Sequence, residues 1–234
     1  MDRKEFLQKG FSSILGLAMA IPAFDSCKTE ADVTGTTATT GTCTSYPVKE
    51  EGPFPTKVPS SFVLKDIRSD RTGVPFTINV IVQNKNKNCT ALDGVIFDIW
   101  HCDKDGNYSE YGGSGMQSVD YTKVDFLRGR QTTDSTGQVT FTSIYPGWYS
   151  GRAPHFHVHV YTASGTSLLI TQVGFPEDIN NTVYTTSNLY TRGKQDTSNS
   201  ADHVFSGSTD ILIAKMTGSM SAGYVLNHTI VVSA

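Results

Sequence analysis

The chain has 234 residues, 38% of them hydrophobic, enough for one domain with a full core. Its formal net charge of -3 argues against nucleic acid as a partner. Thr, Val, Tyr, Phe and Gly recur, helical periodicity is absent after the first segment, and no internal repeat is visible; the pattern points to an all-β domain of short strands.

Residues 1–27 predict an export signal. Arg3, Lys4 and Lys9 make a basic start, and the apolar run from Phe11 to Phe24 is too short to span a membrane comfortably. The bland alternative is a buried N-terminal helix. Ser26-Cys27, a small residue before Cys just after the apolar run, resembles a bacterial lipoprotein cleavage site with Cys27 as the lipidated first residue; Phe24 and Asp25 depart from that box. Arg3 to Gln8 also resembles a twin-arginine signal with Lys in place of the second Arg. Residues 28–44 form a Thr/Gly/Ala tract that cannot bury enough apolar surface to order itself, so a flexible tether is expected. These features predict an exported protein of the cell envelope, attached to the membrane by a lipid anchor only, with the folded domain over residues 45–234.

The four cysteines are Cys27, Cys43, Cys89 and Cys102. Pairing is expected in an exported protein. Cys89 and Cys102 flank one strand segment and would lie about 40 Å apart if it is straight, too far to bridge. Cys43 is therefore the better partner for either.

Tyr46 to Leu64 is loop-like, with five residues of Pro or Gly type spread along it, and a turn follows over Asp66 to Gly73. Strands are expected at Pro75–Gln83, Val95–Cys102 and Gln138–Ile144. Asp103 to Gly106 is a tight turn that delivers Tyr108 just past a strand end; its Asp-rich spelling lacks the full spacing of a calcium loop. Ser109 to Lys123 is a long Gly/Ser/Tyr loop. Phe126 to Gln131 leads into the turn at Thr133 to Gly137. Beyond the middle of the chain, Leu168–Val173 reads as a strand, Asn180–Ser200 as polar loop, and Asp210–Met216 and Tyr224–Val232 as two closing strands. Strands at this spacing predict a β-sandwich with long loops.

The chemistry concentrates in Tyr145 to Val160. Tyr145 to Tyr149 is a Pro-Gly turn. His155 to Val160 then alternates with period two, so His155, His157 and His159 share one face and Phe156, Val158 and Val160 the other. If the apolar face meets the core, the imidazoles need another environment. Two imidazoles two residues apart on a rigid strand can bind one metal ion, and imidazole suits zinc, copper, iron and nickel alike. A permanently charged Arg152 beside them suggests an anionic ligand or substrate. Tyr149 adds a hard phenolate donor that favours ferric iron. Trp100, Trp148 and Tyr145 read as packing residues, His159 lies on the imidazole face without an assigned role, and His101 is unassigned.

Ordered blocks along the chain carry a resemblance. They are Glu51-Gly52-Pro53-Phe54, Ile99 to Asp103 with Gly106 to Ser109, Phe126-Leu127-Arg128-Gly129, Tyr145 to Tyr149, Arg152 to His157, Thr171-Gln172 and Asn199 to Asp202. From about Pro47 to the C-terminus the sequence resembles the intradiol ring-cleavage dioxygenases, the family of catechol 1,2-dioxygenase and protocatechuate 3,4-dioxygenase. The resemblance implies one non-haem Fe(3+) per chain, with Tyr108, Tyr149, His155 and His157 as metal ligands. It also implies a catechol-type substrate and O2 as partners, with a homo-oligomer left open, and ring cleavage to a cis,cis-muconate-type diacid. Tyr149 would leave the metal and take up a substrate proton. Arg152 would stabilise charge developing on the ring, and Gln172 would stand beside the ligands as a catalytic group. Gly174 replaces the family's usual bulky aromatic, which would widen the site. The helical N-terminal extension with which catechol 1,2-dioxygenases dimerise is not expected. Two other readings use the same residues: a zinc-dependent hydrolase on the His-x-His strand, or a tethered binding module without chemistry.

Overall fold

The structure, a computed structural model, describes residues 43–234; the expected export signal, Cys27 and the tether up to residue 42 lie outside the described residues. Strand β1 (Pro75–Asn84) is the axis of one sheet. Its side chains alternate between the interior and the outer face, with Phe76, Ile78, Val80 and Val82 buried. One edge of β1 pairs antiparallel with β2 (Thr90–Ala91) and β5 (Gln138–Ile144); the other pairs parallel with β9 (Gly223–Val232), which carries β8 (Lys215–Ser219) outside it. The second sheet has the order β4 (Arg128–Thr132), β3 (Ile96–Trp100), β6 (His155–Tyr161), β7 (Ser167–Gly174), all antiparallel.

The two sheets pack as a sandwich through aromatic contacts. Phe97 of β3 meets Phe141 of β5 at a ring separation of 6.1 Å. Phe175, just past β7, meets Phe76 of β1 at 5.6 Å and Phe156 of β6 at 5.9 Å. The all-β sandwich is as expected, and among the described residues no helical domain is present. The Cys43–Cys89 disulfide ties the start of the described chain to the β1–β2 hairpin across a sequence separation of 46, while Cys102 is free and buried. By loop-closure entropy such a link stabilises the fold by about 4 kcal/mol.

Three local expectations need correction. A helix, α1 (Glu177–Thr186), runs into the start of the stretch read as polar loop, with Pro176 at its N-cap, Glu177 and Asp178 in its first turn, and Asn180, Val183 and Tyr184 buried. The stretch Asp210–Met216 is not one strand. It splits into a short helix, α2 (Thr209–Leu212), and the start of β8. Arg128–Thr132 is a strand rather than a lead-in, hidden because its charged residues find carboxylates from distant sequence: Glu110 for Arg128 and Asp98 for Arg130.

The histidine strand also differs from expectation in its surroundings. Phe156, Val158 and Val160 face the sandwich interior, but His155, His157 and His159 are buried as well. The polypeptide from Pro47 to Thr56 runs as a strap over that outer face. It is fastened by Lys49 N–H to the Ile170 carbonyl (2.9 Å), Gln172 Nε2 to the Glu50 carbonyl (2.9 Å) and Thr171 Oγ1 to the Pro47 carbonyl (2.8 Å).

Candidate metal centre

His155 and His157 are placed by the first half of β6, on the face under the strap. His155 Nδ1 is 2.6 Å from the Ala153 carbonyl, which can only accept, so the proton sits on Nδ1 and Nε2 presents a lone pair. His157 stacks face to face on Trp100 of the neighbouring strand, with ring centroids 5.0 Å apart and planes 3° from parallel. On its other side is Gly52 of the strap, at φ +77°; a Cβ there would stand 2.7 Å from His157 Cε1. Only glycine adopts that backbone freely and leaves room for the ring.

Tyr108 arrives from the turn after β3. Asp103 Oδ1 accepts from the N–H of Asp105 (3.0 Å) and of Asn107 (2.9 Å), closing the turn. Gln117 of the long loop then grips both backbone groups of Tyr108: Tyr108 N–H donates to Gln117 Oε1 (2.6 Å), and Gln117 Nε2 donates to the Tyr108 carbonyl (2.9 Å). Phe54 of the strap stacks on the phenol at 4.7 Å.

The result is a convergence of three donor atoms. Tyr108 Oη lies 3.5 Å from His155 Nε2 and 3.2 Å from His157 Nε2, and the two imidazole nitrogens are 3.1 Å apart. Burial, then Arg152, holds His155 neutral down to about pH 3. Burial, then His155, keeps the pKa of His157 well below the usual histidine range, and burial pushes the Tyr108 phenol well above its ordinary value. The centre is left frustrated by these states. The His155–His157 contact is a hydrogen bond only if His157 carries its proton on Nε2, and its buried Nδ1 then has no partner. A cation shared by the three atoms removes the competition at their meeting point: both imidazoles turn Nε2 lone pairs to it, and it supplies the charge that burial withholds from the phenolate, while His157 Nδ1 keeps its proton without a partner. The donor set therefore fits a metal. No group of three His, Cys, Asp or Glu placed to hold a metal ion occurs among the described residues, so the phenol is what completes this cluster.

Tyr149, the fourth expected ligand, is not in the cluster. Its ring lies 6.2 Å from Tyr108, and its hydroxyl donates to the Met116 carbonyl of the long loop (2.7 Å). Arg152 precedes β6 and is buried. Its Nε donates to Asp202 Oδ2 (2.8 Å) and its Nη2 to Gln172 Oε1 (2.6 Å), while Nη1 faces Glu50 Oε1 at 4.0 Å. Gln172, opposite His157 on β7, is thus held between Arg152 and the strap carbonyl of Glu50. The expected widening at Gly174 does not occur: a Cβ there would meet Ile213 Cδ1 at 2.7 Å and Phe205 Cζ at 3.2 Å, so those side chains fill the space an aromatic would take. Tyr145 and Trp100 are packed as expected.

A model of the dioxygenase family matches residues 52–223, well over half of the chain. The chain belongs to the intradiol ring-cleavage dioxygenase family. A chlorocatechol 1,2-dioxygenase of Rhodococcus opacus is 29% identical over 151 residues, 56% of this chain and 53% of that protein, so the chain spans about half the length of this curated relative. Among solved structures, an intradiol ring-cleavage dioxygenase from Tetranychus urticae is 26% identical with a TM-score of 0.72, covering 82% of this chain and 95% of that one. The dioxygenase domain of a carbohydrate-binding fusion protein from Streptomyces sp. SirexAA-E is 25% identical with a TM-score of 0.59, covering 82% and 99%.

Within this family member, sequence reading missed the roles of three residues. Asp202 and Arg128 stood inside recognised blocks without a function. Asp202 holds Arg152; Arg128 donates to the Phe54 carbonyl (3.1 Å) and the Ser109 carbonyl (2.6 Å), tying the strap to the residue after Tyr108. Gln117 sits in a Gly/Ser-rich loop with no local signal.

Proposed function

We propose that this protein is a non-haem ferric dioxygenase that cleaves a catechol-type ring between its two hydroxylated carbons, adding both atoms of O2 to give a cis,cis-muconate-type diacid. The observation that carries the reading is the convergence of Tyr108 Oη, His155 Nε2 and His157 Nε2 within 3.1 to 3.5 Å of one another. These residues, with Tyr149 from the adjoining loop, would hold one Fe(3+) per chain; two phenolates favour the ferric over the ferrous ion, where two His and one carboxylate would favour the reverse. An Fe(3+) held by these residues would supply Lewis acidity toward a chelating catechol, drawing electron density from its ring.

The protein groups prepare the rest. As a phenolate released from the metal, Tyr149 would take up a substrate hydroxyl proton, and the Met116 carbonyl, which accepts its O–H at 2.7 Å, would hold the phenol so formed. Arg152, fixed by Asp202 and Gln172, sets a permanent positive charge beside the ligands, where charge builds on the ring. Phe54 and Trp100, stacked on Tyr108 and His157, exclude water from the ligand atoms. Export and lipid anchoring through Cys27 remain part of the proposal. The Cys43–Cys89 disulfide supports an oxidising compartment, and membrane partitioning abolished by Cys27→Ser would test the anchor.

The central test is the metal and its colour. Purified protein should carry about one iron per chain, with a burgundy tyrosinate-to-iron charge-transfer band that anaerobic catechol shifts. Colourless protein that binds zinc, or none that binds catechol, would sink the reading.

A further inference from the structure

The guanidinium of Arg152 and the imidazole of His155 lead to one buried carboxylate. Asp202 lies in the loop after α1, its side chain fully buried. That loop is itself pinned, with Asn199 Nδ2 donating to the Phe175 carbonyl at the end of β7 (2.8 Å). Each Asp202 oxygen accepts two N–H groups. Oδ2 takes Arg152 Nε (2.8 Å) and Ala153 N (2.8 Å); Oδ1 takes Val204 N (2.8 Å) and Arg152 Nη2 (3.3 Å). The Ala153 peptide is the hinge of the arrangement. Its N–H is given to Asp202, and its carbonyl receives the His155 Nδ1 proton at 2.6 Å.

We propose that Asp202 is the positioning residue of the centre: through Ala153 it fixes the tautomer and aim of His155, and through the guanidinium it fixes Arg152 against Gln172. One side chain thereby sets both a metal ligand and the charge beside it. The inference rests on the proposed iron site for its consequence, but not for its geometry. A carboxylate is required at 202 because all four partners are donors. An amide of the same shape has one oxygen, so whichever way it is turned, its NH2 faces two N–H groups.

Asp202→Asn is the test, read in two ways. In metal-free protein, the His155 Nδ1 proton should be slowly exchanging in the wild type and fast in the variant, by proton NMR. In iron-loaded protein, chelator competition should show iron bound 10- to 100-fold more weakly in the variant, the range for loss of a group that orients a ligand. Arg152→Ala costs stability by removing the counter-charge of Asp202, but leaves Asp202 its Ala153 and Val204 N–H partners, so it should keep the protected His155 proton and bind iron within about threefold of wild type. That comparison also decides the matter if Asp202→Asn does not fold. An Asp202→Asn protein with a protected His155 proton and unchanged iron affinity overturns the proposal, as does an Arg152→Ala protein that loses both. Wild-type protein that binds no iron would instead count against the proposed function, and the metal-free NMR comparison would still judge Asp202.

Discussion

The two ends of strand β6 are built from the same parts and do different things. At its start are His155 and His157, a tyrosine, and an Arg–Asp pair, Arg152 with Asp202. At its far end are His159, a tyrosine, and another Arg–Asp pair, Arg130 with Asp98, joined by two bonds of 2.6 Å. The imidazoles share one face and are all buried. The difference lies in what meets the ring nitrogens. His159 Nε2 is paired with Ser167 Oγ at 2.8 Å and Nδ1 with Tyr161 Oη at 2.7 Å, so no lone pair is left over. At the other end Tyr108 offers one hydroxyl to two imidazoles, and His157 Nδ1 has no partner. Residue type and spacing mark three candidates; only the count of donors against lone pairs separates a ligand pair from a satisfied histidine.

The largest expected effect is on iron itself. His155→Ala or Tyr108→Phe should leave little bound iron and bleach the colour, because each removes one of three converging donors. His159→Ala should keep about one iron per chain. Metal analysis of the three variants side by side checks the contrast; iron loss in His159→Ala equal to that in His155→Ala would erase it.

The two arginines sharpen the comparison next. Arg152→Ala should keep its iron and colour and still bind catechol, yet slow turnover by about 10²–10³-fold if one oxyanion-type donor is a fair guide. Arg152→Lys should recover only part, since an ammonium does not reproduce a planar fork. Arg130→Ala, at the closed end, strands Asp98 in a buried position and should lower Tm while changing single-turnover O2 consumption less than about threefold. Equal turnover by wild type and Arg152→Ala would remove Arg152 from the chemistry.

How far this was legible in sequence follows the same division. Strand β5 was readable to the residue because its alternation is local: Val139, Phe141 and Ser143 inward, Gln138, Thr140 and Thr142 half-exposed. The His-x-His pair shows in the period-two alternation of His155 to Val160, and Tyr108 and Arg152 stand inside motif blocks. Helix α1 carried its start signals in Pro176-Glu177-Asp178, but its buried stripe of Asn180, Val183 and Tyr184 is short and half polar, so the period was faint. Strand β4 was obscured because Arg128 is buried on partners more than seventy residues back, at Phe54 and Thr56. Tyr149 is placed among the ligands by motif; the bond from its hydroxyl to the Met116 carbonyl is one that no pattern in the chain foretells.

A third kind of buried imidazole tests the donor count by acid. His101 has Nδ1 against the Cys102 carbonyl and Nε2 against Ser143 Oγ, each at 2.7 Å, and burial pushes its pKa down to about 4. Folded pKa below unfolded pKa means that the unfolded chain binds the proton first. The contribution is present above about pH 6.5 and is lost as pH falls toward 4, amounting to about 2 kcal/mol by pH 5. Denaturant unfolding at pH 7 and pH 5 should show a smaller acid loss in His101→Gln than in wild type. Parallel curves for the two proteins would mean that His101 is not the group responsible.

The smallest effect concerns the strap, which the ligand end of β6 has close against it. Gly52 sits at φ +77° with His157 Cε1 2.7 Å from where a Cβ would be, and Trp100 blocks the ring's retreat by stacking on its face. Gly52→Ala therefore meets two costs: a left-handed backbone, about 1–2 kcal/mol for an L-residue, and displacement of either the strap or the imidazole. Gly151 supplies the control. It has nearly the same backbone, φ +81°, and nothing within 4 Å of where a methyl group would stand, so Gly151→Ala meets the first cost alone. Both variants should lose similar stability from the backbone term, but only Gly52→Ala should also weaken iron binding, by up to about tenfold. Thermal melts of metal-free protein and chelator competition on loaded protein separate the two. If Gly52→Ala and Gly151→Ala bind iron equally well, the strap does not press on His157, and the ligand's aim must come from Trp100 and β6 alone.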